Sequence, residues 1–186
     1  MSAIDDNTAL LIIDVQVGLD EPRLGRRNNP DAERNMARLL AEWRARGRPV
    51  FHVRHMSTEP ESSLRPEMPG NAIKSEVAPQ DGEPVIEKDV NAAFIGTDLR
   101  QRLNQAGIQA LVIVGLTTDH CVSSTARMAG DLGYRAIVVA DATAAHEVRS
   151  YDGKLHSAET VHELALANLH QEFALILSTE QVLGLG

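Results

Sequence analysis

Three residues whose types combine into a nucleophilic catalyst stand at the ends of apolar runs in this chain. Cys121, the single cysteine, follows Leu111-Val112-Ile113-Val114 in the segment Gly115-Leu116-Thr117-Thr118-Asp119-His120-Cys121-Val122-Ser123-Ser124-Thr125-Ala126. Asp14 closes Ala9-Leu10-Leu11-Ile12-Ile13, and Lys88 closes Val85-Ile86-Glu87. A thiol, a carboxylate to take its proton and a cation to balance the charge are the parts needed to attack a carbonyl carbon. Each residue alone has a blander reading: a free cysteine as a small buried hydrophobe, Asp14 as a loop cap, Lys88 as a surface charge in a local ion pair. Their placement links them. If the runs are parallel strands, all three fall at the carboxyl edge of the sheet, where open α/β folds bind ligands. With Asp119 as helix N-cap, Cys121 falls in a first helical turn, where unpaired N–H groups and the helix dipole favour a thiolate and can bind an oxyanion. The flanks Asp119 and Ser123 exclude the Gly-x-nucleophile-x-Gly elbow.

The elements that must position these residues are readable from periodicity. Continuous apolar runs at Leu10 to Ile13, Val50 to Val53, Val85-Ile86, Leu111 to Val114, Ile137 to Val139 and Phe173 to Leu177 suit strands buried on both faces. Helix-period segments at Pro30 to Arg46, Thr97 to Ala106 and Asp119 to Leu132 each stop at a glycine, Gly47, Gly107 and Gly133. A further helix is expected over Ser157 to Leu169, and Ser178-Thr179-Glu180-Gln181 reads as the capped start of a short last one. The alternation predicts an α/β three-layer doubly wound fold, a mostly parallel six-stranded sheet with helices on both faces. The stretch from His55 to Glu83 is too long for an idle loop and reads as a site border or subunit contact. The loop from Asp141 to His156, with His146, Arg149, Tyr151, Lys154 and His156, reads equally as substrate contact or solvated surface.

The chain has 186 residues, enough for one domain with a full core and short for two. With 26 acidic against 18 basic residues and a net charge of −8, interspersed, it offers no basic stripe to nucleic acid and no attraction to an anionic membrane. The start Met1-Ser2-Ala3-Ile4-Asp5-Asp6 lacks the basic and apolar regions of a signal peptide, so the expected location is cytoplasmic. One cysteine makes neither an internal disulfide nor a multi-thiolate zinc site. No Gly-x-Gly-x-x-Gly follows the first strand, which disfavours a dinucleotide site.

The stretches Asp14-x-Gln16, Lys88 followed by Asn91-Ala92-Ala93-Phe94-x-x-Thr97-x-Leu99, and Gly115-x-x-Thr118-x-x-Cys121-Val122-x-x-Thr125-Ala126 resemble the isochorismatase-like cysteine hydrolases from about Thr8 to the last helix. That family includes nicotinamidases, N-carbamoylsarcosine, ureidoacrylate, biuret and maleamate amidohydrolases, and isochorismatases that lack the cysteine. With Cys121 present, the resemblance implies hydrolysis of a small carboxamide or ureido substrate by a Cys121-Asp14-Lys88 triad. It further implies a cis peptide at Leu116-Thr117 and an oxyanion hole from the amides of Thr117 and Cys121. Dimers or tetramers are common in the family, so a homo-oligomer is expected. Nicotinamidases hold a metal on an Asp-x-His motif after the second strand, where this chain reads Phe51-His52-Val53-Arg54-His55-Met56-Ser57. Histidines three apart on an extended segment lie on opposite faces. No metal or other cofactor is therefore expected, with His52 in the core and His55 lining the site. Gln16, near Asp14, and Phe94 and Thr118, in the matched stretches, are further candidate substrate contacts, although helix packing explains Phe94 equally well. His120 reads as substrate-facing or as helix surface, and Arg54 as a carboxylate partner or a surface charge. Two other functions stay open at this point: a Cys-His hydrolase with Asp14 as orienter, and a catalytically silent or redox-sensing binding module.

Overall fold

The computed structural model describes residues 4–185. Strand β1 (Ala9–Ile13) is buried along its whole length and explains the architecture by itself. Ala9, Leu11 and Ile13 join one apolar cluster, and Leu10 and Ile12 join another on the opposite face. Side chains alternate across a strand, so an unbroken apolar run requires cover on both sides. The other strands are β2 (Val50–His55), β3 (Val85–Lys88), β4 (Ala110–Leu116), β5 (Arg135–Ala144), the pair β6 (Val148–Arg149) and β7 (Leu155–His156), and β8 (Ala174–Leu177). Six form one sheet in the order β3-β2-β1-β4-β5-β8, and every pairing in it is parallel. Strands β6 and β7 make a separate antiparallel hairpin.

Helices α1 (Ala32–Ala45), α2 (Leu99–Gln105), α3 (Ser123–Asp131), α4 (Ala158–Leu169) and α5 (Thr179–Gly184) supply the cover. Met36, Leu39, Leu40 and Trp43 of α1 and Val182 of α5 pack on the Leu10–Ile12 face. Leu99 and Leu103 of α2, Ala126 and Ala129 of α3, and Leu166 and Leu169 of α4 pack on the other. Each large side chain buried this way contributes about 1.5 to 3 kcal/mol. Trp43, 1% exposed, also donates its indole N–H to the Thr8 carbonyl at 2.9 Å, tying α1 to the start of β1.

Helix ends follow local chemistry. Gly47, Gly107 and Gly133 take positive φ just past α1, α2 and α3, and Ser178 with Gln181 closes a capping box on α5. Two expectations change. The fifth strand runs far beyond Ile137–Val139, because after a register shift β5 pairs again with Gly115 and Leu116 through Thr143 and Ala144. The helix expected from Asp119 opens as a wide π turn over Thr118–Val122, with Thr117 rather than Asp119 at its cap position.

The stretch after β2 carries two 3-10 turns, Pro69–Asn71 and Ser75–Val77. It is fastened by Asn71, which donates to the carbonyls of His55 at 2.9 Å and Leu64 at 2.6 Å. An ion cluster, buried at Lys74 and Glu33 and open to solvent at Asp20, holds it to α1: Lys74 Nζ lies 2.6 Å from Asp20 and 2.7 Å from Glu33, which also takes a bidentate pair from Arg27. Among the described residues no helix is long and apolar enough to cross a membrane.

Candidate active site

The strand order reverses direction between β1 and β4, the point where an open α/β sheet leaves a crevice at its carboxyl edge. Ile13 pairs with Gly115 there. Gly115 has φ +130°, and a Cβ on it would lie 2.1 Å from the Ile13 carbonyl oxygen, so only glycine lets β4 run this close to β1. The next peptide, Leu116-Thr117, is cis. The Thr117 carbonyl then accepts from the N–H groups of His120 and Val122, both at 3.2 Å, closing the π turn that carries Cys121. The Thr117 N–H has no hydrogen-bond partner among the described residues. On the β1 side Asp14 sits in the left-handed region at φ 50°, a conformation aspartate tolerates better than most residues.

Lys88 reaches this crevice from β3, where it pairs with His55 of β2. Its Nζ lies 2.6 Å from Asp14 Oδ2, 3.0 Å from His55 Nδ1 and 3.3 Å from Cys121 Sγ. Lys88 is 3% exposed and Asp14 1%, so the ion pair is sealed from solvent. Asp14 Oδ1 is buried with no hydrogen-bond partner among the described residues. Burial raises the Asp14 pKa above the usual carboxylate range, opposed by Lys88. Burial, and next the Asp14 charge, push the Cys121 thiol up to about 12, again opposed by Lys88. The thiolate-favouring environment expected from a helix start is therefore overturned: desolvation and a neighbouring carboxylate outweigh the first-turn N–H groups. At rest the sulfur holds its proton, beside a carboxylate oxygen with a free lone pair. His55 shifts the other way, down to about 4, because burial and the Lys88 charge both disfavour its imidazolium.

The crevice opens into a cavity of about 480 Å³ lined by Asp14, His55, Asn91, Thr117 and Cys121 at its base, with Leu19, Leu24, Leu64 and Val148 as apolar walls. The segment after β2 thus borders the site through Leu64, and the loop after β5 contributes His146 and Arg149. Tyr151 at the hairpin tip is fully exposed instead. His120 lines the cavity with a largely exposed side chain whose Nε2 lies 3.3 Å from Asp119 Oδ2.

Three expected substrate contacts are committed elsewhere. Gln16 is fully buried; its amide bridges the His55 carbonyl at 3.1 Å and the Asn71 carbonyl at 2.9 Å and accepts from the His55 N–H at 2.8 Å. It braces the end of β2 rather than facing the cavity. Phe94 stacks on Tyr134 at 5.8 Å between ring centroids, the packing role that periodicity allowed. Thr118 is buried and hydrogen-bonds His162 Nδ1 at 2.8 Å. Arg54 pairs with Glu87. Asn91 was not singled out from the sequence as a site residue: its Oδ1 accepts from Cys121 Sγ at 3.8 Å, and its place three residues after Lys88 in a matched stretch was the available signal.

His52 and His55 do face opposite ways. His52 Nε2 meets Glu83 at 2.9 Å in the interior, whereas His55 turns to Lys88. Asp14, His55 and Cys121 offer donor atoms all within 4.8 Å of one another, a spacing a metal ion could use. The Lys88 ammonium hydrogen-bonds all three, so a divalent ion there would meet a buried positive charge.

Comparison with known proteins identifies the family. Residues 8–181 match the model of the isochorismatase domain. The isochorismatase family protein YrdC of Bacillus subtilis is 44% identical over 180 residues, 97% of this chain and 96% of that one. A streptothricin hydrolase of Streptomyces noursei is 32% identical, with 82% of this chain and 60% of that protein covered. A crystal structure of a putative hydrolase of the isochorismatase family from Chromobacterium violaceum superposes with TM-score 0.94 at 42% identity, covering 97% of this chain and 94% of that one. With the domain match running from the first strand to the last helix, the chain belongs to the isochorismatase-like family of hydrolases.

Proposed function

We propose that this protein is a cysteine hydrolase that cleaves the C–N bond of a small carboxamide or ureido compound through a thioester on Cys121. The single observation that carries the reading is the convergence of Asp14, Lys88 and Cys121 on one buried ammonium at the floor of a cavity. Asp14 Oδ1, with no partner of its own, takes the thiol proton as sulfur attacks the carbonyl carbon. The carbonyl electron pair moves to oxygen, which the Thr117 and Cys121 N–H groups stabilise. As the tetrahedral adduct collapses, the C–N bond breaks, and Asp14 passes its proton to the departing nitrogen. Water then enters, Asp14 takes one of its protons, and hydroxide attack on the thioester releases the acid while the proton returns to sulfur. Lys88 balances the negative charge as it moves between Asp14 and Cys121.

The raised pKa values of Asp14 and Cys121 favour this division of labour. A thiol that stays protonated needs a base, and a carboxylate made more basic by burial serves better than an ordinary one. A Cys-His catalyst gains no such support, because the near histidine, His55, has its Nδ1 engaged by Lys88. The cavity volume of about 480 Å³ fits a small molecule rather than a polymer. An oligomer is part of the proposal and is tested by light scattering.

Ammonia release from a panel of primary amides, ureido acids and nicotinamide tests the function. The native protein is expected to release ammonia from at least one class, in the presence or absence of chelator, and Cys121→Ala to release none. No release from any member by the native protein would turn the assignment toward a catalytically silent module.

A further inference from the structure

An ammonium has three N–H donors and no acceptor. The Nζ of Lys88 has three acceptors in the structure: Asp14 Oδ2, His55 Nδ1 and Cys121 Sγ. Its donors are therefore all assigned, and the His55 Nδ1 must accept. A neutral imidazole that accepts at Nδ1 carries its proton on Nε2. That Nε2 makes no hydrogen bond among the described residues, and, in a ring that is only partly buried, it is not sealed from solvent. His55 lines the cavity beside Cys121, and with Nδ1 engaged by Lys88 the ring nitrogen left to meet a substrate there is Nε2.

We propose that Lys88 fixes the tautomer of His55, and that the His55 Nε2–H is a dedicated donor to an acceptor atom of the substrate beyond the carbonyl under attack. The substrate class this selects carries a second acceptor, such as a carbonyl or carboxylate oxygen or a ring nitrogen, a short distance from the scissile C–N bond. An imidazole here serves recognition, whereas Asp14 serves proton transfer. Burial and the Lys88 charge keep the ring neutral against the opposing charge of Asp89. His55 stays in register because Gln16 clamps its backbone N–H and carbonyl. The Nε2–H donor thus projects from a braced strand end.

The substrate side of this inference rests on the cysteine-hydrolase reading, but its test needs no turnover. Long-range proton–nitrogen NMR on protein labelled with 15N in histidine reports the tautomer of His55, assigned by its loss in His55→Gln. The expected result is a neutral ring protonated at Nε2 from pH 5 to 8; an Nδ1-protonated ring, or an imidazolium at pH 7, overturns the proposal. Alkylation of Cys121 by iodoacetamide, which offers an acceptor oxygen, is compared with alkylation by iodoethane, which offers none. His55→Gln retains a donor near the Nε2 position, and His55→Asn retains only the acceptor near Nδ1. The iodoacetamide preference should be kept within about twofold in His55→Gln and fall about three- to tenfold in His55→Asn, the weight of one hydrogen bond. Equal preferences in the two variants would overturn the donor role, even if an amide substrate had been found. If the donor role holds and no amide is hydrolysed, only the hydrolase assignment fails.

Discussion

Replacing Asp14 with asparagine should move two properties of Cys121 in opposite directions. The carboxylate oxygen and the sulfur lie within 4.8 Å. Two unit charges at that separation interact by about 3.5 kcal/mol at an effective dielectric near 20, or about 2.5 pKa units. Asp14→Asn removes that repulsion and leaves Lys88 facing the sulfur alone, so the thiol should fall from about 12 toward about 9.5. At pH 8 the thiolate fraction then rises about 300-fold, while its intrinsic nucleophilicity falls roughly 15-fold with its basicity. Iodoacetamide should therefore alkylate the variant about 20-fold faster, with the midpoint of the pH–rate profile displaced downward. Amide hydrolysis should instead fall by roughly 10² to 10⁴, because the group that shuttles the proton is gone. The assay is stopped-flow or quenched alkylation from pH 7 to 11, beside ammonia release. A variant whose alkylation rate still climbs through pH 11 without a midpoint, as the native rate should, would refute the coupling of Asp14 to the thiol.

Other consequences follow from the same contacts. Lys88→Met leaves the Asp14 carboxylate buried without its partner and should cost about 3 to 5 kcal/mol in urea unfolding, with Lys88→Met/Asp14→Asn more stable than Lys88→Met alone. Gly115→Ala drives a methyl carbon toward the Ile13 carbonyl and should cost about 2 kcal/mol or more, read as a lowered thermal midpoint. For Glu33, burial alone would raise the pKa, but Arg27 and Lys74 hold it at about 2 against an ordinary 4.5. A depressed carboxylate stabilises the fold above its unfolded pKa, and the contribution is lost as pH falls from about 4.5 through about 2. Urea midpoints in that window should decline less steeply in Glu33→Gln than in the native protein. Chelation should leave ammonia release unchanged, since Lys88 already supplies the positive charge at the donor cluster; a loss restored by a divalent ion would contradict this.

The sheet was legible because its strands are buried on both faces, so β1 and β4 appear as unbroken apolar runs, and because glycines mark where α1 to α3 stop. The convergence of Asp14, Lys88 and the Cys121 turn was readable because parallel strands deliver their carboxyl ends to one edge. The length of β5 was hidden, since its extension past a register shift runs through Asp141, Ala142 and Thr143, without an apolar signature. The side-chain contacts were hidden too. Gln16 precedes a loop that folds back over it, and only the tertiary fold shows its amide filled by the His55 and Asn71 backbone. Thr118 meets His162 across 44 positions of sequence, which no local pattern reports. The protonation of Cys121 could not be read from helix position, because the balance between desolvation, Asp14 and Lys88 depends on burial.

The most direct test of the central claim is intact-mass analysis of the native protein quenched during turnover of whichever panel amide releases ammonia. The account predicts a transient adduct equal to the acyl group less one hydrogen, located on Cys121 by peptide mapping and absent from Cys121→Ala, which also releases no ammonia. Ammonia release that continues in Cys121→Ala, with no adduct on the native protein, would contradict it.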